Sequence, residues 1–431
     1  MKHESIKIRE NVNIRFFPTD KFKTNYISVN FVTPVLKETA AREALLFEVL
    51  TRGTEKYPTL RDINIHLDDC YGMSLATECT KSGADHVTGF SLSMLANSCV
   101  YDESDLTGAA IDMIDQIVNH PVMQDGLLSE SYTEQEKEKL CEKIEAQILR
   151  KARYAISRCG EIMCEGEKAG VPTYGSIDDV RAITSKTLTD CYNALLNSAR
   201  IEIYCVGSFT SSELETLGGV FASCASDVRE SEKIQISKDI AEVRTFEEVK
   251  AVTQATMAMG FRLGRRLDEC ANMSDVVMMN AVFGGGTVSK LFMNVREKMS
   301  LCYFCQSACA LRSGTMYVVT GVEAANIEKT KSAVLDQLGE IAKGNITDEE
   351  FEYSKMEIRN GLRAVSDSPA AIESWYLGRM LAGIDTDPEK EIEKILAVTR
   401  EDIAASASAV KLDTVFVLRG NGETEVESDE E

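Results

Sequence analysis

One order of elements reads twice along this chain of 431 residues, and that repetition limits the fold more than any single motif. In the first part, Tyr26-Ile27-Ser28-Val29-Asn30-Phe31-Val32 and Val87-Thr88-Gly89-Phe90-Ser91-Leu92 alternate with period two, which predicts half-buried antiparallel strands. Between them the pattern predicts helices over Ala40–Leu50 and Leu60–Asp69, the second opening after Thr59. Glu134–Lys151 is charged, with Leu140, Ile144 and Ile148 spaced four apart, so a helix with one buried stripe is predicted. Ile201–Val206 predicts an apolar strand that ends at Gly207 and closes the first sheet. The second part reads strand (Thr256–Phe261), helix (Met273–Phe283), helix (Val288–Lys298), two strands (Leu301–Leu311, Met316–Val322), then helices and a last strand, Thr414–Leu418. Thr347-Asp348-Glu349-Glu350 is a capping box that opens one of those helices. The parallel order predicts an internal duplication, although no repeat is visible residue by residue.

Length alone gives a prior of roughly three domains. Composition shifts divide the chain more specifically, into a half over 1–225, a charged linker over 226–250, a second half over 251–420 and an acidic tail over 421–431. The formal charge, 47 − 69 = −22, disfavours nucleic acid and anionic membranes as partners. The sequence shows no cationic leader followed by an apolar run, and no stretch of 18 or more apolar residues, which predicts a soluble cytoplasmic protein. Thirteen cysteines without regular spacing fit a reducing compartment.

Several local patterns carry no chemistry on their own. Gly284, Gly285 and Gly286 are followed by no Lys-Ser/Thr pair at phosphate-loop spacing, so nucleotide binding is set aside; taken alone they read as a turn between two helices using positive φ. Strand alternation puts Cys305 and Cys309 on one face and Cys302 on the other, which reads as buried thiols rather than iron–sulfur ligands. His3, His66, His86 and His120 never pair within a helical turn, and no nucleophile elbow marks a Ser-His-Asp or Cys-His triad.

The segment GGGTVSKLFMNVREKMSLCY, Gly284 to Tyr303, resembles the pitrilysin/insulinase zinc-peptidase family, in which a Gly-rich turn precedes Arg and Tyr at this spacing. The resemblance covers nearly the whole chain, Pro172-Thr173-Tyr174-Gly175-Ser176 included. It implies that Arg296 and Tyr303 hold a substrate backbone and the reaction's oxyanion, and that the three glycines form a substrate-sensing loop. The family also places His-x-x-Glu-His shortly before a basic residue, Gly and Thr. With Arg52-Gly53-Thr54 fixing the frame, Ala44 and Glu48 stand at the His positions, Phe47 at the general base, and Lys143 at the third ligand, counted from Glu136. Zinc chemistry needs two imidazoles one helical turn apart with a carboxylate between them. A methyl group and a phenyl ring supply neither, and a frame slip onto Leu45-Leu46-Phe47-Glu48-Val49 adds no imidazole.

The resemblance therefore implies an α+β fold of two homologous halves, each an antiparallel sheet with helices on one face, arranged as half of a clamshell. It implies a catalytically inactive, substrate-binding subunit with no cofactor of its own. Zinc would be carried by a homologous partner, and the substrate would be a peptide or unfolded polypeptide. Within the family the likeness runs to the inactive subunit of a paired Firmicutes system linked to elongation factor P modification. A metallopeptidase with non-standard zinc ligands and a scaffold with no role in proteolysis remain the alternatives. Glu48 and Lys143 are expected to pair where zinc would sit, making Lys143→Ala unusually destabilising.

Overall fold

The polar residues that alternate along Tyr26–Val32 do not face water. In the computed structural model, which describes residues 3–224, 240, 242–250, 252–270 and 272–420, Ser28 and Asn30 are as buried as Val29 and Phe31. The strand lies inside a six-stranded sheet of β1 (Glu4–Arg9), β2 (Val12–Pro18), β3 (Thr24–Pro34), β4 (Ser74–Ser82), β5 (Asp85–Leu95) and β6 (Arg200–Gly207). Their spatial order is β1-β2-β6-β3-β5-β4, antiparallel except for β2 beside β6. Ile201–Val206 thus lies in the sheet's interior instead of closing its edge.

The second sheet holds β7 (Arg244–Lys250), β8 (Ala255–Arg262), β9 (Cys302–Ala310), β10 (Thr315–Val322) and β11 (Lys411–Gly420), in the order β9-β10-β8-β11-β7. Its one parallel pair is β11 with β7. Leaving out β1, the two sheets share a topology: the first strand lies parallel to the last, and the last pairs antiparallel with the second. That repeat is the duplication the element order predicted. The stretch read as a linker lies partly outside the described residues, and its end, Arg244–Lys250, is the edge strand β7. The acidic tail over 421–431 also lies outside them.

The described chain divides into two compact units, rather than the three that length suggests, and neither unit is continuous in sequence. In the first, Ile27, Val29 and Phe31 meet Leu45, Leu46 and Ile114 in the main core. The opposite face carries Phe17, Tyr26, Tyr204 and Val206, covered by Ile372, Tyr376 and Leu377 of the helix Pro369–Leu381. In the second unit, Met257, Met259 and Phe261 face the main core, while Ala258, Phe416 and Leu418 meet Ala155 and Cys159 of the helix Lys151–Met163. Each sheet carries its main layer of helices on one face, and a helix from the other part of the sequence closes the second. Burial on both sides explains why β3, β5, β6 and β8 are buried almost throughout, where alternation predicted half-burial for β3 and β5.

Two local expectations have direct physical outcomes. The helix Leu60–Asp69 has the bounds read from sequence, because the Thr59 hydroxyl accepts from the Asp62 amide and the Asp62 carboxylate accepts from the Thr59 amide. The helix predicted over Glu134–Lys151 instead runs Glu130–Glu145, tightens over Ala146–Leu149 and restarts at Lys151. The break is where the chain passes from one unit to the other, and Ile144 and Ile148 are only partly buried where Leu140 is fully so.

Candidate functional site

The helix Lys37–Leu50 carries the positions where the family keeps two ligands and a base. Ala44 is buried, and Phe47 packs its ring 5.0 Å from Phe31 and 5.7 Å from Phe90, so the base position belongs to the apolar core. Glu48 does meet Lys143, with Nζ 3.6 Å from Oε1, and the same Nζ lies 4.7 Å from the centre of the Tyr174 ring. Glu136 is buried and spent on Arg52 and Lys139, at 3.3 and 2.8 Å. Among the described residues no group of three or more His, Cys, Asp or Glu could hold a metal ion.

The Glu48–Lys143 pair is more exposed than expected, 32% and 49% at the two side chains. Water screens it, so the expectation of an unusually costly Lys143→Ala is replaced. Urea unfolding should show a loss of no more than about 1 kcal/mol, as for an ordinary surface pair; a loss of several kcal/mol would mean that this pair carries structural weight.

The Gly-rich turn links the helix Ser274–Asn280, continued by wide turns over Ala281–Gly285, to a second wide helical segment, Leu291–Lys298. None of the three glycines has positive φ, which corrects the reading by backbone freedom: Gly284 has φ −156° and Gly286 φ −146°. What they supply is room. A Cβ at Gly284 would lie 2.7 Å from both Leu291 Cδ1 and Ser307 Oγ, and one at Gly286 would lie 2.2 Å from Glu357 Oε2. The turn is also braced. Ser289 Oγ donates to the Gly286 carbonyl, and Lys290 Nζ reaches both Glu350 oxygens at 3.0 Å. Glu350 in turn caps its own helix with Thr347, as the capping box predicted.

Arg296 lies on the last turn of Leu291–Lys298, stacked 4.5 Å over Phe292 and 3.5 Å from Glu297. Tyr303 is 62% exposed, because the β9–β10 register slips between Cys302 and Phe304. A bulge of this kind aims one side chain out of the sheet. It also corrects the cysteine assignment: with one residue extra, Cys302 turns to the face of Cys305 and the two thiols hydrogen-bond. That hydrogen bond, against burial and with help from Thr320 and the Arg296 charge, brings the Cys302 thiol down to about 7.

The histidines scatter as the sequence suggested, His66 stacking on Tyr57 and His120 meeting Glu55 and Asp115. His86 is different. It contacts Glu43 and Cys79, an arrangement that no local sequence motif announces because its members are far apart in the chain.

Residues 182–358 match the family described as the peptidase M16 inactive domain. A Bacillus subtilis (strain 168) protein called probable inactive metalloprotease YmfF is 28% identical over 414 residues, covering 93% of this chain and 94% of its own. An uncharacterized zinc protease of Rickettsia bellii is 25% identical over 37% of this chain and 39% of its own. Among solved structures, a conserved protein from Enterococcus faecalis V583 has a TM-score of 0.89 at 25% identity, covering 98% of this chain and 100% of that one. The peptidase M16 inactive domain from Pseudomonas fluorescens has a TM-score of 0.78 at 18% identity, over 97% and 98%, a likeness of fold. With one carboxylate and no imidazole at the four metal-site positions, and with its likeness to the Bacillus protein running almost end to end, the chain is similar to peptidase M16 (pitrilysin/insulinase) proteins described as inactive.

Proposed function

We propose that this chain is the substrate-binding, non-catalytic subunit of a heterodimeric processing peptidase whose homologous partner carries the zinc. The observation that carries the reading is Tyr303, thrown out of its sheet by a bulge and following Arg296 and a braced Gly-rich turn, in a chain whose metal positions are Ala44, Phe47, Glu48 and Lys143. An exposed phenol and guanidinium supply hydrogen bonds to a peptide backbone and to developing negative charge, and such groups stay useful when the metal is in another chain. The substrate is a peptide or unfolded polypeptide, and the likeness to a system linked to elongation factor P modification makes a peptide processed there the first to try. A cytoplasmic setting is supported by the cysteines, all free, and by the lack, among the described residues, of a helix long and apolar enough to cross a membrane.

The test is reconstitution with an M16 homologue from the same genome that retains its zinc motif. The mixture should cleave a quenched fluorescent peptide faster than either chain alone. Arg296→Ala and Tyr303→Phe should each lower kcat/KM by about tenfold, a loss of roughly 1.4 kcal/mol in transition-state stabilisation. Unchanged rates in both variants, with the pair still forming, would sink the substrate-binding role and leave a scaffold. Chelator-sensitive cleavage by this chain alone, with one zinc bound, would instead favour an enzyme with non-standard ligands.

A further inference from the structure

Three side chains from three elements meet at one buried imidazole in the first unit. His86, in β5 and 1% exposed, places Nδ1 2.6 Å from Glu43 Oε2, on the helix Lys37–Leu50. Its Nε2 lies 3.3 Å from Cys79 Sγ, on the edge strand β4, and 3.1 Å from the Thr173 carbonyl oxygen. Glu43 is buried too and is fixed by the Thr33 hydroxyl at 2.9 Å. Cys79 is the outermost of the three, partly open to solvent. The register sets this up: His86 pairs with Lys81 and Thr88 with Cys79, so Cys79 and His86 are diagonal neighbours on one face of the sheet.

Because carboxylate and sulfur take opposite nitrogens of the ring, they cannot close on a common ion, and the arrangement is a relay, not a metal cage. A thiol against an imidazole that a third group orients is the geometry of an activated nucleophile. We propose that Cys79 is a nucleophilic thiol that takes up low-molecular-weight disulfides, with the His86 imidazolium as the positive charge beside its sulfur and Glu43 as the positioning residue for His86. Burial pulls the imidazolium down, but the hydrogen bonds and charges of Cys79 and Glu43 outweigh it and hold His86 up to about 10. A cationic ring therefore faces the attacking sulfur at neutral pH.

The step balances without a further reactant. Sγ gives its proton to water beside the imidazolium and attacks one sulfur of the disulfide. That S–S bond breaks, and the second sulfur leaves as a thiolate that takes up a proton. The products are a mixed disulfide at Cys79 and one free thiol; the Cys79 sulfur is oxidised and the leaving sulfur reduced. Acyl transfer fits less well, because the Thr173 carbonyl oxygen, 3.8 Å from Sγ, presents negative charge where an oxyanion would form. Exchange spreads its charge along three sulfurs and needs no such pocket.

The test treats the folded full-length chain with an aromatic disulfide at neutral pH, follows thiolate release, and locates the adduct by peptide mass. Carrying Cys302→Ser in every sample removes the other activated thiol. Cys79 should react ahead of Cys99, Cys141 and Cys270, and His86→Asn, which removes the neighbouring positive charge, should slow it on the order of a hundredfold. Glu43→Gln should shift the pH profile of the reaction with an unchanged circular dichroism spectrum, which a loss of packing would not do, because Glu43 helps to hold the proton on His86. A Cys79 that reacts no faster than those three thiols overturns the proposal. That comparison needs no His86 variant, so it stands even if His86→Asn fails to fold.

Discussion

Arg262→Met should lower the stability of the second unit by about 3–5 kcal/mol, the range for removing one partner from a buried ion network. Arg262 ends β8 and is 4% exposed. Its Nε reaches Asp413 at 3.1 Å, Nη1 and Nη2 reach Glu167 at 2.9 and 2.6 Å, and Nη2 also donates to the Met163 carbonyl at 2.7 Å. Met163 and Glu167 belong to the exchanged segment, so one guanidinium joins that segment to the sheet it closes. Methionine fills much of the volume yet leaves Asp413 with only Arg244 and Thr414, and Glu167 without its fork. Arg262→Lys should recover only part of the loss, since an ammonium cannot grip two carboxylates and a carbonyl in one plane. Asp413 adds a pH signature. Burial pushes its carboxyl up, but the hydrogen bonds from Thr414, Arg244 and Arg262 outweigh this and hold it below the usual range. A depressed acid stabilises the fold above its unfolded pKa, about 3.9, and loses that contribution as pH falls through the folded value. The acid limb of the stability curve should therefore be shallower in Arg262→Met. Urea unfolding across pH checks both effects, and a loss under about 1 kcal/mol would show that the network is relaxed by water.

What the sequence made legible was local chemistry with a short reach. Thr59 and Asp62, or Thr347 and Glu350, form caps within four residues, and those helix starts could be read directly. The alternation of β3 was equally visible, but its polar residues carry no mark of what lies over them. Ser28 and Asn30 signalled a solvent face and are in fact roofed by a helix some 340 residues later, as the Asn30–Glu373 bond shows. No pattern within one element reveals an exchanged helix. β4 escaped notice for another reason: Ser74–Ser82 has a regular alternation of exposure, but the inward positions are held by Leu75, Thr77 and Cys79, a weak apolar signal for an edge strand. In the candidate site, the spacing of Arg296 and Tyr303 was readable while the bulge between them and the sheet was not. A one-residue slip reverses every face assignment upstream of it, which is why Cys302 was assigned away from Cys305. The Glu43–Cys79–His86 relay spans three elements and became visible only when the register of β3, β4 and β5 was known.

Glu373→Ala is expected to cost the first unit about 2–4 kcal/mol, because it strips the partner from two buried donors at once. Glu373 is 3% exposed on the helix Pro369–Leu381, accepting from Tyr26 Oη and from Asn30 Nδ2, each at 3.0 Å. Asn30 retains Ser28 and the Glu202 carbonyl, whereas the Tyr26 hydroxyl would lose its acceptor. Glu373→Gln keeps one acceptor oxygen and should cost less, which separates the hydrogen bonds from the lost volume. The pH dependence runs opposite to that of Asp413. Burial raises the Glu373 carboxyl, more than the bonds from Tyr26, Asn30 and Ser28 lower it. With the folded pKa above the unfolded one, the native state holds the proton longer. Stability from this group is complete below about pH 4.3, the ordinary Glu value, and declines as pH rises through the folded pKa. Glu78, raised by its own burial and by the charge of Glu373, slopes the same way, so only the difference between wild type and Glu373→Gln isolates the helix residue. If that difference is flat from pH 4 to 8, Glu373 keeps its charge throughout, and the exchanged helix is held by a carboxylate whose hydrogen bonds fully offset its burial.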